Sequence, residues 1–208
     1  MQPFIRYLGG KTRLAKTIVA EIPPHKVYVE PMVGGGSIYF AKEPVKREII
    51  SDSDPNLMRF YSALKKQEIK RCNNTPNRKK LLKIRDKRKA GKSLSPCEYI
   101  YLNKISFGGK ATSFDPSSLW KCKGKSARTC GYTSKDQGKY AHRLSKTRLE
   151  RGDFRKAIAK YDSKDTLFYL DPPYAGTTVD GYLENDLQPE DVKKAVDKIK
   201  GKFILSYN

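Results

Sequence analysis

Asp171-Pro172-Pro173-Tyr174 set a carboxylate, a backbone carbonyl and an aromatic ring side by side. The acid and the carbonyl are hydrogen-bond acceptors, and the ring is a surface on which a planar ligand can stack. The apolar run from Thr166 to Leu170 just ahead of them reads as a short buried strand, which the two prolines end abruptly. In open α/β sheets the carboxyl ends of strands are where ligands sit. The plain alternative is a strand-to-loop turn carrying a solvated acid, so the rest of the chain must decide.

Two earlier stretches carry residues of the same kind. Tyr7-Leu8-Gly9-Gly10-Lys11 is a tight turn followed by a predicted helix from about Thr12, with Leu14, Ile18 and Ile22 on one face. A cation at the head of a helix opposes the helix dipole, so Lys11 suits either a nearby carboxylate or phosphate of a ligand or simple solvation. Val27 to Glu30 is β-type and leads into Pro31-Met32-Val33-Gly34-Gly35-Gly36, after which an apolar segment suits a helix. Strand, glycine-rich turn, helix is the arrangement that brings backbone close to a nucleotide cofactor. A second strand, Glu48 to Ser51, follows at βαβ distance and ends in Asp52, an acid placed to accept hydrogen bonds from ribose hydroxyls. The loop lacks the Lys-Ser/Thr of a phosphate-binding loop, which argues against ATP or GTP.

These elements belong to a chain of 208 residues with a formal net charge of +21. A charge of that size points to a polyanion, most often nucleic acid, with a membrane surface as the alternative. It is unevenly placed: Lys65 to Arg151 holds 25 Lys and Arg against 6 Asp and Glu, a net +19, which leaves +2 for the two flanks. The flanks read as a balanced enzyme core, and the middle as the polyanion-facing part. The segment from Asp54 onward predicts a helix with Leu57, Phe60, Tyr61 and Leu64 on one face. Ser95-Pro96-Cys97-Glu98 is a capping box that starts another helix, to about Lys104. Phe107 to Tyr140 mixes Gly, Ser and Lys with Phe114, Trp120, Tyr132 and Tyr140, which suits phosphate contacts with base stacking or wedging. No apolar stretch reaches membrane-spanning length, and no leader opens the chain. Cys72, Cys97, Cys122 and Cys130 show no metal-binding spacing, so reduced thiols and no metal are expected.

Taken together, Tyr-Leu-Gly-Gly-Lys, Glu-Pro-Met-Val-Gly-Gly-Gly-Ser, Ser-Asp-Ser-Asp-Pro-Asn-Leu and Asp-Pro-Pro-Tyr resemble the Dam-type (alpha-class) DNA adenine-N6 methyltransferases. The resemblance covers nearly the whole chain. It implies an α/β, Rossmann-like S-adenosylmethionine-dependent methyltransferase sheet carrying an inserted, mainly helical target-recognition domain. The catalytic domain would comprise residues 1–64 and 147–208, and the basic DNA-recognition insertion residues 65–146. The cofactor would be S-adenosylmethionine, held by Tyr7, Lys11, Asp52 and Asp171, with Glu30, Pro31, Gly34 and Gly36 shaping the pocket. Asp153, at an Asp-Phe corner, would lie beside it, although an acid there also suits capping of the following helix. Asp171, Pro172, Pro173 and Tyr174 would be catalytic, and Lys104, Phe107, Lys110, Lys121 and Arg128 would touch DNA.

The implied partner is double-stranded DNA, with a cognate restriction endonuclease of the same system as a further one and no membrane. A monomer or weak dimer acting on cytoplasmic DNA is expected. Two features depart from the family. Met32 replaces the usual Phe, and the segments that read GATC elsewhere are missing, so that specificity does not carry over. Family members continue past Asn208 through a further helix and a final strand pair. A truncated or degenerate DNA-binding remnant is therefore an alternative, as is an RNA or protein amide methyltransferase, since Asp/Asn-Pro-Pro-aromatic motifs serve other amino acceptors.

Overall fold

Short apolar runs from both ends of the chain assemble into one sheet. The structure, a computed structural model, describes residues 1–69, 72–106, 113–115, 137–173 and 187–206. Strands β1 (Val27–Glu30), β2 (Arg47–Asp52), β3 (Arg148–Arg151), β4 (Thr166–Leu170) and β5 (Lys202–Leu205) lie in the order β3-β2-β1-β4-β5. Every neighbouring pair is parallel. The helices among the described residues are α1 (Ala15–Ala20), α2 (Ser37–Ala41), α3 (Pro55–Lys65), α4 (Arg78–Lys89), α5 (Pro96–Ile105), α6 (Gln137–Leu144), α7 (Phe154–Tyr161) and α8 (Pro189–Val196). This is the α/β, Rossmann-like sheet expected from the sequence. The strand order reverses between β1 and β4, and a crevice for ligands opens at the carboxyl ends of such a pair.

The chain divides into two compact units. The first, Met1–Pro3, Gly9–Asp54 and Lys146–Asn208, contains the sheet. Alternate strand residues point to opposite faces. On one face Val29, Ile49, Phe168 and Leu170 pack against Phe154, Ile158 and Tyr161 of α7 and Val192 and Val196 of α8. Burying each of these large apolar side chains contributes roughly 1.5–3 kcal/mol before the ordering cost is counted.

Two local expectations are corrected. A turn closed by Leu14 N–H donating to the Lys11 carbonyl (3.0 Å) precedes α1, so the helix starts at Ala15 rather than Thr12. Leu14 is 54% exposed, whereas Ala15 is buried and Ile18, Val19 and Ile22 are half-buried, so the apolar face turns inward without Leu14. The run after Gly201 forms β5, which pairs with β4 alone among the described strands and leaves Phe203 44% exposed.

The second unit, Phe4–Leu8 and Pro55–Ser145, is helical among its described residues. Leu57, Phe60, Tyr61 and Leu64 of α3 are buried, as their spacing predicts. Phe4 meets Phe60 and Tyr140 with ring centroids 5.6 and 5.0 Å apart, distances at which aromatic pairs attract. The capping box of α5 is formed: Glu98 N–H donates to Ser95 Oγ (3.2 Å), and Ser95 N–H donates to Glu98 Oε2 (2.8 Å). Cys72 and Cys97 are joined as a disulfide with Cα atoms 5.3 Å apart, which corrects the expectation of reduced thiols for this pair. Spacing could not reveal it, because the two meet only once α4 has turned the chain back on itself. Cys122 and Cys130 lie outside the described residues.

Candidate active site

Three adjacent strands end in a carboxyl group: Asp52 closes β2, Glu30 closes β1, and Asp171 follows β4. Between the first two runs the glycine loop. Gly34 (φ 46°) and Gly36 (φ 71°) take left-handed backbone conformations that other residues rarely adopt. The loop is pinned to the end of β2. Val33 N–H donates to the Ser51 carbonyl (3.0 Å), and Gly34 N–H donates to Asp52 Oδ2 (3.0 Å). Asp54 N–H occupies the other oxygen, Oδ1, at 3.0 Å. Desolvation pushes the Asp52 carboxyl up to about 6 even against these donors. A carboxylate has about four lone-pair sites, so acceptor capacity is left for a ligand hydroxyl.

Glu30 is 2% exposed and accepts from the Tyr28 hydroxyl at Oε2 (2.6 Å). Burial is the main reason its carboxyl is pushed up to about 8, while hydrogen bonds from Tyr28 and the Tyr39 N–H act in the opposite sense. Below it, Lys42 Nζ donates to Glu48 Oε1 (2.5 Å) and lies 4.4 Å from the centre of the Tyr28 ring. Both members of that ion pair are buried, at 2% and 5% side-chain exposure. Buried ion pairs are weak evidence for stability but costly to break singly, so this one ties the end of α2 to the start of β2. Sequence reading missed Tyr28, Lys42 and Glu48. The spacing of Tyr28 and Glu30 on one strand face was a usable signal; nothing local marked Lys42.

Asp171 is met by Lys11, whose Nζ donates to Oδ1 at 2.6 Å and to the Gly9 carbonyl at 3.0 Å. The pair is mostly enclosed, with side-chain exposures of 11% and 20%. Burial raises the Asp171 carboxyl above its ordinary value and the Lys11 ammonium works to lower it. Lys11 therefore has a carboxylate partner, and it comes from the protein itself. Pro172 is buried, and Pro173 and Asp171 are half-buried.

The structure thus brings Lys11, Glu30, Pro31, Gly34, Gly36, Asp52 and Asp171 to one end of the sheet. Asp153 caps α7 through the Arg155 N–H (2.7 Å) and also pairs with the Arg155 guanidinium. Tyr7 is half-buried in the segment that belongs to the helical unit. Lys104, in the last turn of α5, is half-buried, and desolvation lowers its pKa. Tyr174, Phe107, Lys110, Lys121 and Arg128 lie outside the described residues.

Residues 7–208 match the family model of the D12 class N6 adenine-specific DNA methyltransferases. The chain belongs to that family. A DNA adenine methylase of Haemophilus influenzae is 26% identical over 233 residues, spanning 100% of this chain and 79% of its own. One from Vibrio cholerae is 24% identical over 182 residues, which cover 83% of this chain and 65% of that relative, just under two thirds of its length. The type II methyltransferase M.MjaIII of Methanocaldococcus jannaschii is 23% identical over 245 residues, 99% of this chain and 84% of its own. By family the chain is an adenine-specific DNA methyltransferase, and its five-stranded parallel sheet is consistent with that class. Among the described residues no helix is long and apolar enough to cross a membrane.

Proposed function

We propose that this methyltransferase moves the methyl group of S-adenosylmethionine to the N6 amino group of an adenine flipped out of duplex DNA. The observation that carries the reading is the Lys11–Asp171 pair at the end of β4, on the strand beside the one that opens into the glycine loop. Asp52 and Asp171 give the strand ends one more carboxylate than the single ammonium of Lys11 balances, while Glu30 keeps its proton to about 8. Burial holds all three above their ordinary values. Such a site favours a cationic ligand, and a sulfonium cofactor is one. Lys11, Glu30, Pro31, Gly34, Gly36, Asp52 and Asp171 would hold it, with Tyr7 and Asp153 as further contacts. When bound, it supplies an electrophilic methyl group.

The chain's own part is to present a poor nucleophile. The lone pair of the adenine amino nitrogen is delocalised into the ring. The Asp171 carboxylate and the Pro172 carbonyl oxygen would accept its two hydrogens and draw the nitrogen toward tetrahedral geometry. Pro173 stiffens the turn, and Tyr174 would stack on the extruded base. Orientation in a near-attack complex is worth up to roughly 7–11 kcal/mol. The basic residues 65–146, Lys104, Phe107, Lys110, Lys121 and Arg128 among them, would hold the DNA of a cytoplasmic protein acting as a monomer or weak dimer. A cognate restriction endonuclease would give the modification its purpose.

Labelled S-adenosylmethionine with unmethylated DNA, followed by digestion, tests the reading: label is expected in N6-methyladenine. Label confined to RNA or protein would sink it, as would salt-sensitive DNA binding with no label anywhere. Asp171→Ala should abolish transfer while DNA affinity stays within a few-fold.

A further inference from the structure

Helix α4 carries eight Lys and Arg and one Asp in its twelve residues. Its inner side is held by Leu81 and Ile84, both buried, and by a set of polar clamps. Tyr101 of α5 accepts from the Asn77 N–H (2.9 Å) and lies within 3.2 Å of the Thr75 carbonyl and 3.1 Å of the Asn77 carbonyl. Lys87 donates to both oxygens of Glu98 at 2.9 and 2.8 Å. The Cys72–Cys97 disulfide joins the chain ahead of α4 to the start of α5. These clamps employ some of the cations: Lys80 lies over the Tyr101 ring, Arg85 pairs with Asp86, and Arg88 lies near the Tyr99 ring.

Four cations are left over. Arg78, Lys79, Lys83 and Lys89 are exposed, and none of them makes a hydrogen bond or ion pair among the described residues. At about 100° per residue they share an outward arc of about 140°. Arg78 and Lys89 are separated by about 16 Å along the axis, long enough to reach more than one phosphate of a duplex. Lys79 and Lys83 stand one turn apart and repel each other, and the first turn contains cations but no acid, which opposes the helix dipole. The one acid on this arc, Asp86, is already paired with Arg85, so it does not balance the four cations.

We infer that the outward arc of α4, Arg78, Lys79, Lys83 and Lys89, is a rigid phosphate-contacting face that holds duplex DNA by its backbone, independently of base reading. The inference rests on the DNA reading above. Because the helix is clamped beforehand, little ordering cost falls on binding. Backbone contacts position without specifying, so this face would set affinity and salt sensitivity and leave the preferred sequence alone.

The test compares the Lys79→Gln, Lys83→Gln, Lys89→Gln variant with a control that removes three exposed lysines from the sheet unit, Lys164→Gln, Lys194→Gln, Lys198→Gln. Binding to a duplex is measured across a salt series, and methyl transfer across a range of duplex concentrations. Each lost phosphate contact lowers the log–log salt slope by about 0.9, so the α4 variant should lose about 2.7 and bind on the order of 10²-fold more weakly at 0.1 M salt. Its KM for duplex should rise, and its ranking of DNA sequences should stay that of wild type. An unchanged slope, or an equal loss in the control, would overturn the inference. So would a charge-dependent loss of binding to phosphatidylserine vesicles with duplex affinity untouched. The salt slope needs no methyl transfer, so a wild type that binds DNA without methylating it would refute the proposed reaction and leave this face to be judged on its own.

Discussion

Lys11 and Asp171 stand 160 positions apart in sequence and 2.6 Å apart at Nζ and Oδ1. The catalytic candidate is thus built from both ends of the chain, and the ammonium from the first turn sets the charge state of the acid that follows β4.

Lys11→Met should move the acid limb of the kcat/KM profile to higher pH. Burial already raises the Asp171 carboxyl, and Lys11 is what offsets it. Transfer needs Asp171 as an unprotonated acceptor. Losing an adjacent cation shifts a carboxyl by about one to three units, so activity near neutrality falls while the alkaline plateau is largely kept. Lys11→Arg should restore the wild-type limb. An acid limb that does not move in the Met variant counts against the assignment.

Asp52→Asn should loosen the glycine loop. An asparagine offers one oxygen where Asp52 gives one each to Gly34 N–H and Asp54 N–H, and turns an amide N–H₂ toward the other donor. An unsatisfied backbone donor costs about 1–3 kcal/mol. Calorimetric titration with S-adenosylmethionine should show affinity down by about 10-fold or more. Wild-type affinity would mean that the pin does not matter for the cofactor.

Glu30→Gln should flatten the dependence of stability on pH. The unfolded chain releases the Glu30 proton near the ordinary 4.5, whereas the folded protein keeps it to about 8. Between those values rising pH favours the unfolded state by up to about 1.4 kcal/mol per unit for this group, and above the folded value the loss is complete. Thermal melts of wild type and variant from pH 5 to 8 should therefore diverge, the wild type losing more. Parallel curves would show that Glu30 is ionised in the fold at neutral pH.

Replacing Cys72 and Cys97 by Ser should destabilise the helical unit. A closure across 25 positions is worth about 3 kcal/mol in the chain-entropy account. Denaturant melts should show that reductant lowers the wild-type midpoint and leaves the double variant where it is. A midpoint equally insensitive in both would exclude the bridge as a stabilising link.

The sequence displayed β1, β2, β4 and the glycine loop because their signals are local: apolar runs bounded by Pro and Gly, and an acid at the end of each of those strands. The α3 core face and the α5 capping box were legible for the same reason. Leu14 misled, because a turn tied to Lys11 delays the helix by three residues and no periodicity records it. The partners of Lys11 and Cys72 were beyond reach, since each is set by the return of a distant segment, and that of Lys42, six positions away, depends on the turn from α2 into β2. Asp153 was readable as a cap, and a cap is what its contacts show.

The bridge between Cys72 and Cys97 makes a covalent ring of the segment that contains α4. A protease that nicks the exposed turn at Gly91 opens that ring without releasing either half. The cut chain would run as one species until a thiol is added and as two afterwards, and its basic helix would stay joined to α5 only while the bridge is intact.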